Sequence, residues 1–255
     1  MNNTPLNITA LQSYLGDAPI TPHVYDNIAS TNAEAFRLAE LGAVEGTLLV
    51  AAAQTAGRGT RGRAYFSPFG GVYFSLILRP ERFDAAFVAA VTPACAVAAA
   101  QSVDAVFGTR CGIKWVNDII LRDKKVAGIL CEARNGVVVC GIGLNVTAPT
   151  NGYPELPNAG AVTDAPPEFA RERFAAECAT RIFGYYQTLE NKAFLGEYRE
   201  RSVLIGRKVT LRVGECEERV SVTAIDDDFR LIAENGAGSI VKFSFGEVRV
   251  SYETA

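Results

Sequence analysis

Gln54-Thr55-Ala56-Gly57-Arg58-Gly59-Thr60-Arg61-Gly62-Arg63 sets three glycines among three arginines within seven residues. Glycine lets a backbone turn with φ > 0 and approach a ligand closely. Successive N–H groups in such a turn make an anion-binding nest, and each guanidinium adds a planar fork that matches phosphate or carboxylate. A solvated basic loop is the other reading of the same composition. A second group is Lys114, Asn117, Asp118, Lys125 and Asn145, polar residues embedded in or ending apolar runs. An unpaired charge away from water is costly, so together they point to a ligand as the missing partner. A Lys–Asp ion pair or a turn-forming Asn-Asp explains any one of them and strains to explain all. Ser30-Thr31-Asn32 is the third group. It can cap a helix, and the same hydroxyls and carboxamide beside free N–H groups can grip a polar ligand head.

The elements that must position these groups follow from the hydrophobic pattern. The runs 46–53 and 71–79 read as strands on either side of the glycine–arginine segment, which is therefore a loop held by rigid elements. A short strand over 24–29 precedes a helix opened by Ser30-Thr31-Asn32, with Thr31 and Glu34 at capping-box spacing, and Gly42 ends it. Residues 85–107 read as an alanine-rich core helix that Thr92-Pro93 starts anew or kinks. The run 111–121 gives two strands around Asn117-Asp118. Residues 125–132 and 137–146 are strands joined through the hairpin signal Asn135-Gly136. Residues 147–166 are loop, 168–192 and 194–202 are helices, and 1–22 are a loosely attached lead-in. From about residue 203 the texture changes to five short strands, 208–213, 219–225, 230–233, 239–243 and 247–251, as in a small β-barrel. The expected division is 1–203 and 204–255.

Composition narrows the chemistry. The chain has 255 residues, 49% hydrophobic and 21% charged, with a net charge of −3 and a pI near 5.4. It lacks the basic bias of a nucleic-acid binder. No apolar run is read as a bilayer span, and the N-terminal residues lack the pattern of a signal peptide. Six scattered cysteines form no C-x-x-C, which fits reduced core thiols in a cytoplasmic protein without a zinc site. With His23 as the only histidine, a Ser-His-Asp triad and a multi-histidine metal site are not expected.

Taken in order, the motifs resemble the biotin protein ligases. They are Ser30-Thr31-Asn32; Gln54 with Gly57-Arg58-Gly59-Thr60-Arg61-Gly62-Arg63; Lys114-Trp115-Val116-Asn117-Asp118; Lys125-Val126-Ala127-Gly128-Ile129-Leu130; and Gly141-Ile142-Gly143-Leu144-Asn145. The resemblance implies an α+β fold: a mixed β-sheet with helices, related to class II aminoacyl-tRNA synthetases, plus a small C-terminal Src-homology-3-like barrel. It implies a monofunctional ligase without a DNA-binding domain, a monomer or weak homodimer. Biotin and Mg·ATP would give biotinyl-5′-AMP, and a lysine of a biotin carboxyl carrier domain would then take the biotin. By the same resemblance Ser30, Thr31, Asn32 and Gln54 bind the ureido end of biotin, with Gly59, Thr60 and Gly128 also on biotin. Arg58, with Gly57 and Gly59, holds the carboxylate or phosphoryl region, and Lys125 bridges the biotin carboxylate and the α-phosphate. Arg61 and Arg63 serve ATP, while Lys114, Asn117, Asp118 and Asn145 serve the nucleotide, its Mg²⁺ or the incoming lysine. Lys125, Arg58, Lys114 and Asp118 are the implied catalytic set. The chain departs from the family pattern in Thr60, where the best-known loop has arginine, and in Val116, which replaces proline. A lipoate–protein ligase would show a glycine triplet and a downstream His-Asp, which this chain lacks. A non-catalytic biotin-binding protein would have lost the phosphate-handling cations, which are present.

Overall fold

A computed structural model describes residues 4–153, 155–244 and 246–249. Seven strands form one sheet in the order β1-β2-β3-β7-β6-β5-β4. They are β1 (Thr21–Tyr25), β2 (Thr47–Ala51), β3 (Val72–Leu78), β4 (Gly112–Lys114), β5 (Asp118–Leu121), β6 (Lys124–Arg134) and β7 (Val137–Leu144). β1 runs parallel to β2 and every other neighbouring pair is antiparallel. β2, β3 and β7 are buried along their whole length, so they read as continuous apolar runs rather than alternating ones.

The two faces carry different loads. On one lie α1 (Ile8–Leu15), α3 (Ala85–Phe107), α4 (Ala170–Gln187) and α5 (Leu195–Glu200). Phe74, Leu76, Cys140, Ile142 and Leu144 point into this main core. On the other lies α2 (Thr31–Glu40), whose Ala35, Phe36 and Ala39 pack on Leu49, Ile77, Val137 and Val139. The alternation of strand side chains then places Ser75, Gly141 and Gly143 on the α2 face. β8 (Lys208–Val213), β9 (Cys216–Ile225), β10 (Leu231–Asn235), β11 (Ile240–Phe243) and β12 (Glu247–Arg249) make a second, antiparallel sheet in the order β11-β10-β9-β8-β12. Its Val209, Leu211, Val220 and Leu231 join the main core.

Several expectations are corrected. Of the expected lead-in over 1–22, the described residues 4–22 are not loosely attached. Asn7 caps α1, Leu11 and Leu15 are buried in the main core, and Glu172 of α4 accepts the Asn7 N–H at 2.8 Å. The first strand begins at Thr21, not Val24; Pro22 is tolerated because β1 is a sheet edge. Ser30, not Thr31, caps α2, its Oγ taking the Ala33 N–H. α3 runs unbroken through Pro93. By length and hydropathy it could cross a membrane, but 67% of its apolar window is buried inside the protein. The end of the fifth C-terminal strand expected at Ser251 lies outside the described residues.

Candidate active site

Ser30, Thr31 and Asn32 are all buried at the start of α2, against the middle of the sheet. Gln54 Oε1 accepts from the Thr31 N–H at 2.8 Å and the Thr31 hydroxyl at 3.1 Å, and Gln54 Nε2 donates to Ser67 Oγ at 2.9 Å. The Ser75 hydroxyl, fully buried on β3, lies 2.6 Å from Asn32 Oδ1 and 2.8 Å from Thr31 Oγ1. Asn32 Nδ2 donates to the Leu130 carbonyl at 3.2 Å and to Glu132 Oε2 at 2.8 Å. Asn32 therefore spends its carboxamide on protein partners and fixes the geometry of its neighbours. Gly141 is required beneath it, since a Cβ there would stand 2.1 Å from Asn32 Oδ1.

The glycine–arginine loop folds back on itself. Gly59 N–H donates to the Arg63 carbonyl at 2.8 Å and Tyr65 N–H to the Gly57 carbonyl at 2.9 Å. Thr60–Gly62 forms a single 3₁₀ turn, with Arg61 at φ 60° and Gly62 at φ 72°. Gly57 has no room for a side chain: a Cβ would lie 2.4 Å from the Tyr65 carbonyl and 2.5 Å from Ser67 Oγ. Arg58, Arg61 and Arg63 are exposed. Arg63 reaches back to the Thr60 carbonyl and hydroxyl at 3.5 and 3.4 Å.

Tyr65 ties this loop to the sheet. Its hydroxyl donates to the Gly143 carbonyl at 2.9 Å. Its ring lies over two glycines that are register partners, Gly128 and Gly143. A Cβ at Gly128 or Gly143 would come within 2.9 or 2.6 Å of the ring. Burial raises the Tyr65 phenol well above its ordinary pKa, so it stays neutral. Lys125 Nζ stands 5.7 Å from the ring centroid and forms a 2.5 Å ion pair with Asp118. Neither partner is fully buried, with side chains 34% and 23% exposed, so the pair stays open to exchange with an anionic ligand.

The remaining sites flank this floor. Asn117 Nδ2 donates to the Ile129 carbonyl at 2.8 Å, stitching the β4–β5 turn to β6. Lys114 ends β4 as the register partner of Asp118. Asn145 is buried, its Nδ2 donates to the Gly160 carbonyl at 2.9 Å, and its Oδ1 has no partner among the described residues. An orphaned buried acceptor is an open position for a donor. The loop expected over 147–166 is built into this edge, since Lys125 N–H donates to the Asn158 carbonyl and Gly160 N–H to the Lys125 carbonyl. Sequence reasoning missed Tyr65, Ser67, Ser75 and Glu132. A polar Ser75 inside an apolar strand, and an aromatic next to a glycine loop, were the signals available.

The site thus has a hydrogen-bonding end at Ser30, Thr31 and Gln54, a glycine floor, and an edge where Lys125 is paired with Asp118. Residues 25–147 match the biotin/lipoate A/B protein ligase family. The biotin–[acetyl-CoA-carboxylase] ligase of Mycobacterium tuberculosis is 33% identical over 228 residues, 86% of this chain and 85% of that protein. The chain belongs to the biotin protein ligase family. The bifunctional ligase/repressor BirA of Bacillus subtilis is 42% identical over 137 residues, but the match spans only 42% of that longer protein. The biotin protein ligase of Aquifex aeolicus, solved in complex with biotin and ATP, superposes with a TM-score of 0.77 over 91% of this chain and 99% of its own, at 24% identity, and so has the same fold.

Proposed function

We propose that this member of the family is an ATP-dependent biotin protein ligase. The observation that carries the reading is the polarity of one continuous site. Uncharged donors and acceptors gather at Ser30, Thr31 and Gln54, Lys125 lies beside Gly128 of the floor, and Arg58 stands on the exposed loop that Tyr65 ties to that floor. Biotin has this polarity, with a neutral ureido ring at one end and a carboxylate at the other. In the first step a biotin carboxylate oxygen attacks the α-phosphorus of ATP, pyrophosphate leaves, and biotinyl-5′-AMP forms. In the second, the lysine amine of a biotin carboxyl carrier domain attacks the acyl carbon and AMP leaves.

Bringing a carboxylate to a phosphate is opposed by like charge. Lys125 at their meeting point and Arg58 on the loop offset that repulsion, and preorganised charge can carry the reaction without a covalent enzyme intermediate. Arg61 and Arg63 face the nucleotide phosphates once the loop closes. Lys114, Asn117, Asp118 and the open Asn145 oxygen serve the nucleotide and the incoming lysine. Mg²⁺ arrives with ATP as part of that substrate. Within this reading residues 1–203 are the ligase domain, of class II synthetase type, and 204–255 a small Src-homology-3-like barrel. The protein works in the cytoplasm as a monomer or weak homodimer, without binding DNA.

Incubation with ATP, an apo carrier domain and either labelled biotin or labelled lipoate tests the proposal. Label transfer from biotin alone is expected. Transfer from lipoate, or biotin binding without transfer, would overturn it.

A further inference from the structure

Cys95, Cys131 and Cys140 meet on the face of the sheet opposite the substrate floor. Cys131 and Cys140 are register partners on β6 and β7, and Cys95 belongs to α3, which packs over them. Cys131 Sγ is 3.7 Å from Cys95 Sγ, and all three sulfurs lie within 4.8 Å of one another. Small thiols pack well in a core without any ligand, but two features go beyond packing. A three-coordinate centre with metal–sulfur bonds of about 2.3 Å holds its sulfurs about 4 Å apart, so the trio needs little movement to close on an ion. Cys95 and Cys140 are buried and Cys131 only partly so, which makes Cys131 the member of the trio nearest to solvent.

The donor set selects the ion. Thiolates favour soft ions, Cu(I) and Zn²⁺ among them, and structural zinc is almost always four-coordinate, whereas three sulfurs converge here. We propose that Cys95, Cys131 and Cys140 form a three-thiolate site for a soft monovalent ion of the Cu(I) class. Binding releases the thiol protons to solvent and ties α3 to β6. The tether falls between Leu130 and Glu132, the two residues that hold Asn32 on the other face.

Anaerobic titration of the full chain with Cu(I), in competition with a coloured Cu(I) chelator, tests the site. One ion per chain is expected, with a thiolate-to-metal absorption band of the same stoichiometry. Cys131→Ser and Cys95→Ala should each weaken uptake by more than about 100-fold, the upper cost of losing merely an outer-shell partner. The exposed Cys216 gives the control: Cys216→Ser should leave uptake unchanged. Cys95 stands between Ala94 and Ala96 in an alanine-rich helix, so Cys95→Ala should keep the fold, and circular dichroism on each variant separates a lost site from a lost structure. If Cys131→Ser does not fold, Cys95→Ala decides. Uptake that survives in a folded Cys95→Ala protein, uptake that follows Cys216, or retention of Zn²⁺ in preference to Cu(I) would each overturn the proposal.

Discussion

In the proposed reaction Lys125 serves where the carboxylate and the phosphate meet, and in the structure it is paired with Asp118 at 2.5 Å. Substituting it removes one preorganised charge from the proposed transition state, which typically costs about 10²–10³ in rate. Lys125→Ala should therefore stay folded and lose pyrophosphate release by that factor; near-normal release would remove Lys125 from the mechanism. Thr60 makes a different point. It offers the loop only a carbonyl and a neutral hydroxyl, both taken up with Arg63. An arginine at this position would add a charge-assisted hydrogen bond to the adenylate, worth roughly 1.5–3 kcal/mol, or about tenfold or more in escape rate. Thr60→Arg is expected to slow dissociation of biotinyl-AMP and to lower stray biotinylation of bystander lysines. Equal off-rates would mean that Arg61 or Arg63 already closes the loop.

The glycine–arginine loop behaves as an element because it bonds to itself, through Tyr65 to the sheet, and through Gln54, Thr55 and Ala56 to the start of α2 and the residues before it. Its three arginines are exposed and of one charge, so an anionic ligand should draw them inward. Trypsin cleavage after Arg58, Arg61 or Arg63 should slow when biotin is added, and identical digestion patterns would show that biotin does not engage the loop. The floor it covers depends on absent side chains. A methyl at residue 143 would lie 2.6 Å from Tyr65 Cε1 and 3.1 Å from Tyr73 Cδ1. Overpacking of this kind usually costs about 1–3 kcal/mol. Gly143→Ala should therefore lift Tyr65 from the sheet, weakening biotin binding in calorimetry while the helices persist. Unaltered affinity would show that Tyr65 takes no part in shaping the site.

At the scale of the molecule the C-terminal sheet braces the turn that carries Lys114 and Asn117. Trp115 Nε1 donates to the Phe229 carbonyl at 2.8 Å, and the Tyr198 hydroxyl to the Val116 carbonyl at 3.1 Å. The Phe194 and Phe229 rings stack with centroids 5.7 Å apart. Trp115→Phe leaves the Phe229 carbonyl buried without its donor, a loss of about 1–3 kcal/mol. For a chain of this size each kcal/mol moves Tm by about 2–4 °C, so a fall of several degrees is expected, together with slower adenylation as Lys114 loses its support. A Tm within error of the parent would show that the two sheets are held together by other contacts.

The sequence by itself determined the local elements and most of the chemistry. Apolar runs separated by Gly, Pro, Asn and Asp marked β2, β3, β6 and β7 and the hairpin at Asn135-Gly136, because backbone preference and burial of one or both faces act over short spans. The glycine–arginine loop was legible for the same reason, as a turn between two strands. Only the tertiary structure decided who meets whom. α1 became part of the core because α4 presents Glu172 to Asn7, 165 residues away in sequence. Asp118 and Lys125 became one ion pair because β5 and β6 are neighbours with a register shift between them. Gly128 and Gly143 became a floor for Tyr65, and Cys95 joined Cys131 and Cys140, through the pairing of β6 with β7 and the packing of α3. A glycine in a strand reports that something comes close; which side chain comes close is fixed by long-range pairing, and the local pattern of residues does not encode it.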